Sequence, residues 1–231
     1  MKFLTDPVRR FELIETMLYD GRNTHGLKGV WLLDGHMKRL ATSASYFAFA
    51  FDEAKVRAAL TAAIADAGDA RLRVRMLLDE DGKVTVTTTP QPPQPADAVM
   101  RYVVSDTRLN SSDLFLYHKT TRRDLYDREW AHFSETLGAD EVIYLNERGE
   151  LAEGSRTSLF IARDGKLLTP PLTAGVLPGV LRQSLLDEGR AVEAVLTLDD
   201  LNQAKEIYAG NSVRGLVRAA ALVPHLAADK S

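Results

Sequence analysis

Residues 90–95 read PQPPQP, and no other stretch restricts the possible folds as much. Proline has no backbone N–H and a fixed φ, so such a run is stiff and extended, and it serves as a connector or a rigid edge. Upstream of it, "ARLRVRMLL" (70–78) alternates with period two, "DEDG" supplies a turn at Asp81-Gly82, and "KVTVTTT" (83–89) returns, which predicts a hairpin. Earlier still, 11–19 "FELIETMLY" reads as a strand and 28–33 "KGVWLL" as a second. From Gly35 the pattern turns helical, with His36, Arg39, Leu40 and Ser43 on neighbouring faces. Asp52 suits the N-cap of a helix over 53–67 that Gly68 ends.

Downstream, "AVMRYVVS" (98–105) predicts a strand, and the polar "DTRLNSSD" (106–113) predicts a loop. The domain boundary is expected in that loop, between a small N-terminal α/β domain (1–105) and a larger C-terminal domain (114–231). The second part mixes a helix at 122–138, a strand at 140–146, a hairpin around Asp164-Gly165 and a helix at 178–189. Short strands follow at 191–197 and 206–210, separated by "LDDLNQA". The expected class is mixed α and β, in two layers or lobes.

Several functions are excluded or disfavoured. The formal net charge of −3 gives no global attraction to nucleic acid or to an anionic membrane. There is no cysteine, hence no disulfide, thiolate metal site or cysteine nucleophile, which fits a reducing cytoplasm. The first residues carry charges too early and too often for a signal peptide, and no apolar run approaches the ~18 residues of a membrane span. The five histidines, His25, His36, His118, His132 and His225, show no familiar metal spacing. Neither a nucleophile elbow nor a phosphate loop is present.

The remaining candidates each admit two readings. Lys119, in "FLYHKTTRRDLYDREW" (115–130), is a solvated charge or a placed amine. Glu153, in "ELAEGSRTSLF", is a turn charge or a buried partner for a cationic nitrogen. "AGVLPGVLRQSLL" (174–186) opens a glycine-containing loop into a helix. Its free first-turn N–H groups make a phosphate cradle, or it is an ordinary Pro-started helix. "GNSVRG" (210–215) is a strand-to-strand turn or a binding loop. Arg39 lies on an exposed basic helix face or at an anion.

The order and spacing of "HMKRLATSA", "HKTTRR", "ADEVIYLNERGELAEGSRTSLF", "TAGVLPGVLRQSLL" and "GNSVRG" resemble the fold-type IV pyridoxal-phosphate enzymes, the class-IV aminotransferase superfamily. The resemblance runs from about Phe11 to about Val217. It implies a smaller N-terminal α/β lobe, a larger barrel-like C-terminal lobe, pyridoxal 5'-phosphate between them, and a homodimer acting on a small molecule. By it, Lys119 is similar to the Schiff-base lysine and Glu153 to the carboxylate at the pyridine nitrogen. Arg39, Val180, Leu181, Asn211 and Ser212 are similar to the phosphate-binding positions. Thr121, Arg123 and Arg214 become candidates for the substrate's carboxylates. The physical chemistry agrees: a lysine that must react as a neutral amine is favoured by burial beside other cations.

Within the superfamily two positions depart from the usual aminotransferase pattern. Leu181 follows "PGV", where these aminotransferases usually carry a threonine after "PGI", and Asn211 replaces a hydroxyl residue. These departures, with "HKTTRRDLYD" and "FELIETMLYDG", are more similar to aminodeoxychorismate lyase. The implied reaction is cleavage of 4-amino-4-deoxychorismate to 4-aminobenzoate and pyruvate, by a free-standing version of a segment that is elsewhere fused to the synthase. The alternatives are a class-IV aminotransferase acting on branched-chain or D-amino acids, and a silent homologue that only binds.

Overall fold

The computed structural model describes residues 10–23 and 29–222. A three-stranded antiparallel sheet comes first, ordered β1-β2-β3, from β1 (Leu13–Asp20), β2 (Arg71–Leu78) and β3 (Val84–Pro90). Alternation sorts its two faces. Leu13, Met17, Tyr19, Val74, Met76 and Leu78 turn into a core that helices α1 (Leu33–Phe47) and α2 (Glu53–Ala63) complete with Leu33, Met37, Leu40, Ala44, Val56 and Leu60. Arg71, Arg73 and Arg75 alternate with the core residues of β2 and so take the opposite face. Asp52 caps α2 as expected, accepting from the N–H groups of Ala54 (3.0 Å) and Lys55 (3.2 Å). The expected strand over 28–33 is reduced to a single bridge between Val30 and Tyr19. Gly29 (φ 93°) and Leu32 (φ 56°) take left-handed conformations that break an extended run, Leu33 already opens α1, and Lys28 lies outside the described residues.

The second sheet has eight strands: β4 (Val99–Leu109), β5 (Glu141–Asn146), β6 (Leu151–Gly154), β7 (Ser158–Arg163), β8 (Lys166–Thr169), β9 (Ala191–Glu193), β10 (Ile207–Asn211) and β11 (Gly215–Ala221). Their order is β6-β5-β4-β11-β10-β7-β8-β9. Helices α3 (Asp124–Leu137), α4 (Val180–Asp187) and α5 (Leu198–Gln203) connect them. The sheet curls because its edges are brought together. Past β9 the chain runs to β6, where Leu151 N–H donates to Leu196 O at 2.7 Å, and the β6–β7 turn closes through Gly154 N–H to Thr157 O at 2.9 Å. This is the mixed α/β, two-lobed fold with a barrel-like second lobe that the resemblance implied.

Two expectations need correction. The loop expected at 106–113 is strand as far as Leu109, because Arg108 and Leu109 pair with Leu145 and Asn146 of β5 beyond a bulge. β4 therefore belongs to the larger sheet, and the change of sheet falls at the proline-rich run between Pro90 and Val99 rather than at 106–113. The strand expected at 191–197 stops at Glu193. "LDDLNQ" becomes α5, whose start is held by a reciprocal capping box between Thr197 and Asp200.

The two lobes are joined at specific atoms. Lys119 O accepts from Ile14 N–H (2.8 Å), Glu12 O accepts from Thr121 N–H (2.9 Å), and Thr120 bridges Leu13. The segment carrying Lys119 is thus an extra edge on β1. Across from it, Gly35 of α1 lets α4 approach: a Cβ at Gly35 would sit 2.8 Å from Val180 Cγ1. Among the described residues no helix is long and apolar enough to cross a membrane.

Candidate active site

Between the two sheets lies a cavity of about 520 Å³. β1 supplies Ile14 and Thr16, β2 supplies Arg73 and Arg75, and the joining segment supplies Lys119 and Arg123. The β6 end and the turn after it bring Glu153 to Thr157, the start of α4 brings Gly179, Val180 and Leu181, and the β10–β11 turn brings Gly210 to Arg214.

Lys119 retains some exposure to this cavity while its amine lies deep, and its pKa falls to about 7. Burial is the main cause, and the charges of Arg123 and Arg39 add to it against the opposing pull of Glu15 and Glu153. Glu153 moves the other way. Burial raises it to about 7, although Leu177 N–H and the Tyr126 hydroxyl each donate to it at 2.9 Å, one to each oxygen. At neutral pH the site therefore holds an amine and a carboxyl that are both poised to gain or lose a proton.

Arg39 is set by a buried carboxylate. Glu15 accepts from Arg39 Nε at 2.9 Å and from Nη2 at 2.5 Å, while His36 Nδ1 lies 2.6 Å from Glu15 Oε2. Arg39 Nη1 also donates to Pro178 O at 3.2 Å, just before α4. Despite burial, the guanidinium and the His36 contact hold Glu15 down at about 2. Val180 and Leu181 line the cavity and are buried, with Val180 Cγ1 against Gly35 and Leu181 Cδ2 against Gly210. No side chain caps α4, so its first-turn N–H groups keep the dipole's positive end open to an anion. Asn211 shapes the facing turn: its Oδ1 accepts from Val213 N–H and Arg214 N–H, both at 3.0 Å, and its Nδ2 donates to Arg156 O at 3.2 Å. Ser212 Oγ donates to Thr16 O at 3.2 Å. Gly210 must be glycine, because a Cβ there would lie 2.8 Å from Gly215 O.

Of the expected substrate residues, Arg123 and Arg214 line the cavity; Arg123 Nη2 donates to Ser155 O at 2.7 Å. Thr121 does not line it. Its Oγ1 accepts from Glu12 N–H at 2.9 Å and so helps to join the lobes. Residues that sequence reasoning missed include Glu15, Arg73, Arg75, Tyr126 and Arg156. A carboxylate on the apolar side of "FELIETM", and arginines in strict alternation through "RLRVR", were legible signals for the first three. Tyr126 and Arg156 arrive by tertiary packing and had none.

The donor set fits the cofactor that the resemblance implies. The Arg39 guanidinium, the open start of α4 and the Ser212 hydroxyl suit a phosphate dianion, Lys119 suits a carbonyl carbon, and Glu153 suits a ring nitrogen. Arg39→Ala is expected to weaken phosphate retention and to strand Glu15. In the native protein Glu15 stabilises the fold above about pH 4.5, and that contribution is lost as pH falls toward 2. Without the guanidinium the carboxylate is buried with only His36, a loss on the order of 3 kcal/mol. Urea unfolding should therefore show a large gap from the native protein at pH 7 that narrows toward pH 3. A gap independent of pH would reject this account of Glu15.

Comparison with known proteins agrees with this geometry. A Schizosaccharomyces pombe protein that carries the provisional name aminodeoxychorismate lyase is 28% identical over 222 residues, 91% of this chain and 90% of that one. A provisionally assigned branched-chain-amino-acid aminotransferase of Thermotoga maritima is 29% identical over 96 residues, 39% of this chain and 35% of its own. A crystal structure from Mesorhizobium loti, provisionally an amino-acid aminotransferase, superposes with a TM-score of 0.84 at 42% identity, covering 91% of this chain and 99% of that one. Residues 12–222 match the model of the amino-transferase class IV family, and the chain belongs to that family of pyridoxal-phosphate enzymes.

Proposed function

We propose that the protein is a 4-amino-4-deoxychorismate lyase, which cleaves its substrate to 4-aminobenzoate and pyruvate with pyridoxal 5'-phosphate as cofactor. The observation that carries this reading is the cationic lining. After Arg39 is assigned to a phosphate, Arg73, Arg75, Arg123, Arg156 and Arg214 remain around Lys119. That is more positive charge than the single carboxylate of an apolar amino acid calls for, and it suits a substrate with two carboxylates. The near full-length match to the Schizosaccharomyces pombe protein supports it, against a match of 39% of the chain for the branched-chain relative.

When bound, the cofactor supplies an electron sink for the charge left when the amine-bearing carbon loses its proton. Arg39, the first turn of α4 and Ser212 would hold its phosphate. Glu153, fixed at both oxygens by Tyr126 and Leu177, would hold a proton at the ring nitrogen. The Lys119 amine, neutral in a large fraction at pH 7, takes the proton from the amine-bearing carbon as general base. The C–H and the ether C–O bonds break, the ring becomes aromatic, and the enolpyruvyl group leaves as pyruvate after regaining a proton. This reading implies a homodimer in the cytoplasm, serving folate biosynthesis.

The Mesorhizobium loti likeness favours a second reading, an amino-acid aminotransferase. The purified holoenzyme should form 4-aminobenzoate and pyruvate in equal amounts from aminodeoxychorismate with no keto acid added. Consumption of branched-chain or D-amino acids that depends on added keto acid, with no 4-aminobenzoate formed, overturns the lyase and establishes the second reading.

A further inference from the structure

The arginines at the cavity fall into two groups by the elements that carry them. Arg73 and Arg75 stand two residues apart on one face of β2, in the smaller sheet. Arg156 and Arg214 stand on the β6–β7 and β10–β11 turns of the larger sheet, and Asn211 ties those turns together through Arg156 O at 3.2 Å. The Arg156 guanidinium lies 3.6 Å from the centre of the Trp130 ring, which holds it flat. Among the described residues none of these arginines has an ion pair; Arg75 is half-buried, and Arg73, Arg156 and Arg214 stand at the open side of the cavity. The cavity also holds Asp127, Asp140, Glu141 and Glu153, but Glu153 and Glu141 are tied up in hydrogen bonds of their own and Asp127 pairs with Arg123, so these four guanidinium groups keep mutual repulsion that an anionic ligand relieves.

The electrostatics keep the groups apart. Burial chiefly depresses Arg75, and the charges of Arg123 and Arg73 add to it. Burial also chiefly depresses Arg156; Glu141 and Asp127 oppose this, while Arg123 and Arg214 add to it. Arg123 thus borders both groups, and it is already engaged with Ser155 O and with Asp127.

We infer that the cavity contains two separate carboxylate clamps, Arg73 with Arg75 on β2 and Arg156 with Arg214 on the paired turns, and that its substrate class is a rigid dicarboxylate spanning them. This deepens the lyase reading, which supplies a ring carboxylate and a second one on an ether arm. Arg73 and Arg156 are thereby specificity-determining, and an amino acid with an apolar side chain leaves one clamp unfilled.

The test measures binding to the holoenzyme by calorimetry, with three probes that undergo no reaction. 3-(Carboxymethoxy)benzoate carries both carboxylates, 3-methoxybenzoate only the ring one, and phenoxyacetate only the one on the arm. The diacid should bind about tenfold or more tighter than either monoacid, since each charge-assisted clamp contributes at least that factor. Arg73→Gln/Arg75→Gln should weaken one monoacid about tenfold and spare the other, and Arg156→Gln/Arg214→Gln should do the reverse. Cofactor absorbance and thermal midpoint establish that each variant is folded and loaded. A diacid no tighter than the monoacids, or variants that weaken both monoacids equally, overturns the two clamps. Crossed selectivity in a protein that makes no 4-aminobenzoate leaves the clamps standing and removes the lyase reading alone.

Discussion

Lys119→Met abolishes turnover, by about ten-thousandfold or more, while the protein stays folded. A general base in the right place contributes on the order of 10²–10⁴ in rate, and covalent attachment through the same amine adds to that. Among the described residues no other lysine lines the cavity, so none of them stands in for it. The same substitution should stabilise the cofactor-free protein, and the sign follows from linkage. The folded-state pKa of about 7 lies below the ordinary 10.5, so between those values the unfolded chain binds a proton that the folded chain does not. Native stability therefore rises with pH across that window, and the burden of burying the ammonium is fully present below pH 7. Urea unfolding at pH 7 and at pH 10 should show Lys119→Met well above the native protein at the lower pH and close to it at the higher. A variant that keeps even a hundredth of native turnover would remove Lys119 from the chemistry.

Glu153→Gln should retain the cofactor and slow proton abstraction by about a hundredfold to a thousandfold, equivalent to ~3–4 kcal/mol of barrier. The amide suits the pocket. Its oxygen can accept from Leu177 N–H while its NH₂ donates to the Tyr126 oxygen, so packing is kept and only the negative charge is lost. What disappears is the group able to share a proton with a ring nitrogen, and kcat should fall with little change in KM. A stability signature accompanies it, opposite in sign to that of Lys119. Glu153 is raised from 4.5 to about 7, so native stability falls as pH rises between those values, and Glu153→Gln flattens that slope. Turnover close to native would make Glu153 a turn residue whose burial serves only the fold.

The sequence declared its strands most clearly where one face met a core. "RLRVRML" alternates in period two because alternate residues are buried, "SLFIA" is a short apolar run because Leu159, Phe160 and Ile161 are all buried, and both hairpins were found. β4 ran past its expected end because "DTRL" is polar. Its pairing is decided by β5, more than thirty residues away, so no local pattern reports it. α5 hid in a segment read as a spacer, although Thr197 and Asp200 carried a legible capping signature. At the site, Lys119, Glu153 and Arg39 were legible through the order of several weak motifs; each alone had an ordinary surface explanation. Arg73 and Arg75 went unread for a different reason: alternating arginines on a strand look like a solvated face until the larger sheet is laid over them. Thr121 stays out of the cavity lining because its hydroxyl is taken up by Glu12 N–H at the joint between the lobes, a contact 109 residues away that no local pattern reports.

The order of strands in the larger sheet sets when the enzyme can come into being. β10 and β11, made last, lie in its middle, between β4 and β7. Without them the sheet divides into β6-β5-β4 and β7-β8-β9, which meet only through the β6–β7 turn and the segment past β9 and leave the inner edges of β4 and β7 unpaired. The lysine segment must likewise find a partner strand 109 residues away in sequence. Such non-local pairing is slow, and unpaired edges invite association with other chains. Loss of β10 and β11 would thus leave an open-edged chain instead of a weakened enzyme, and the site, which takes Gly210 to Arg214 from the turn between them, is assembled only when both strands are in place.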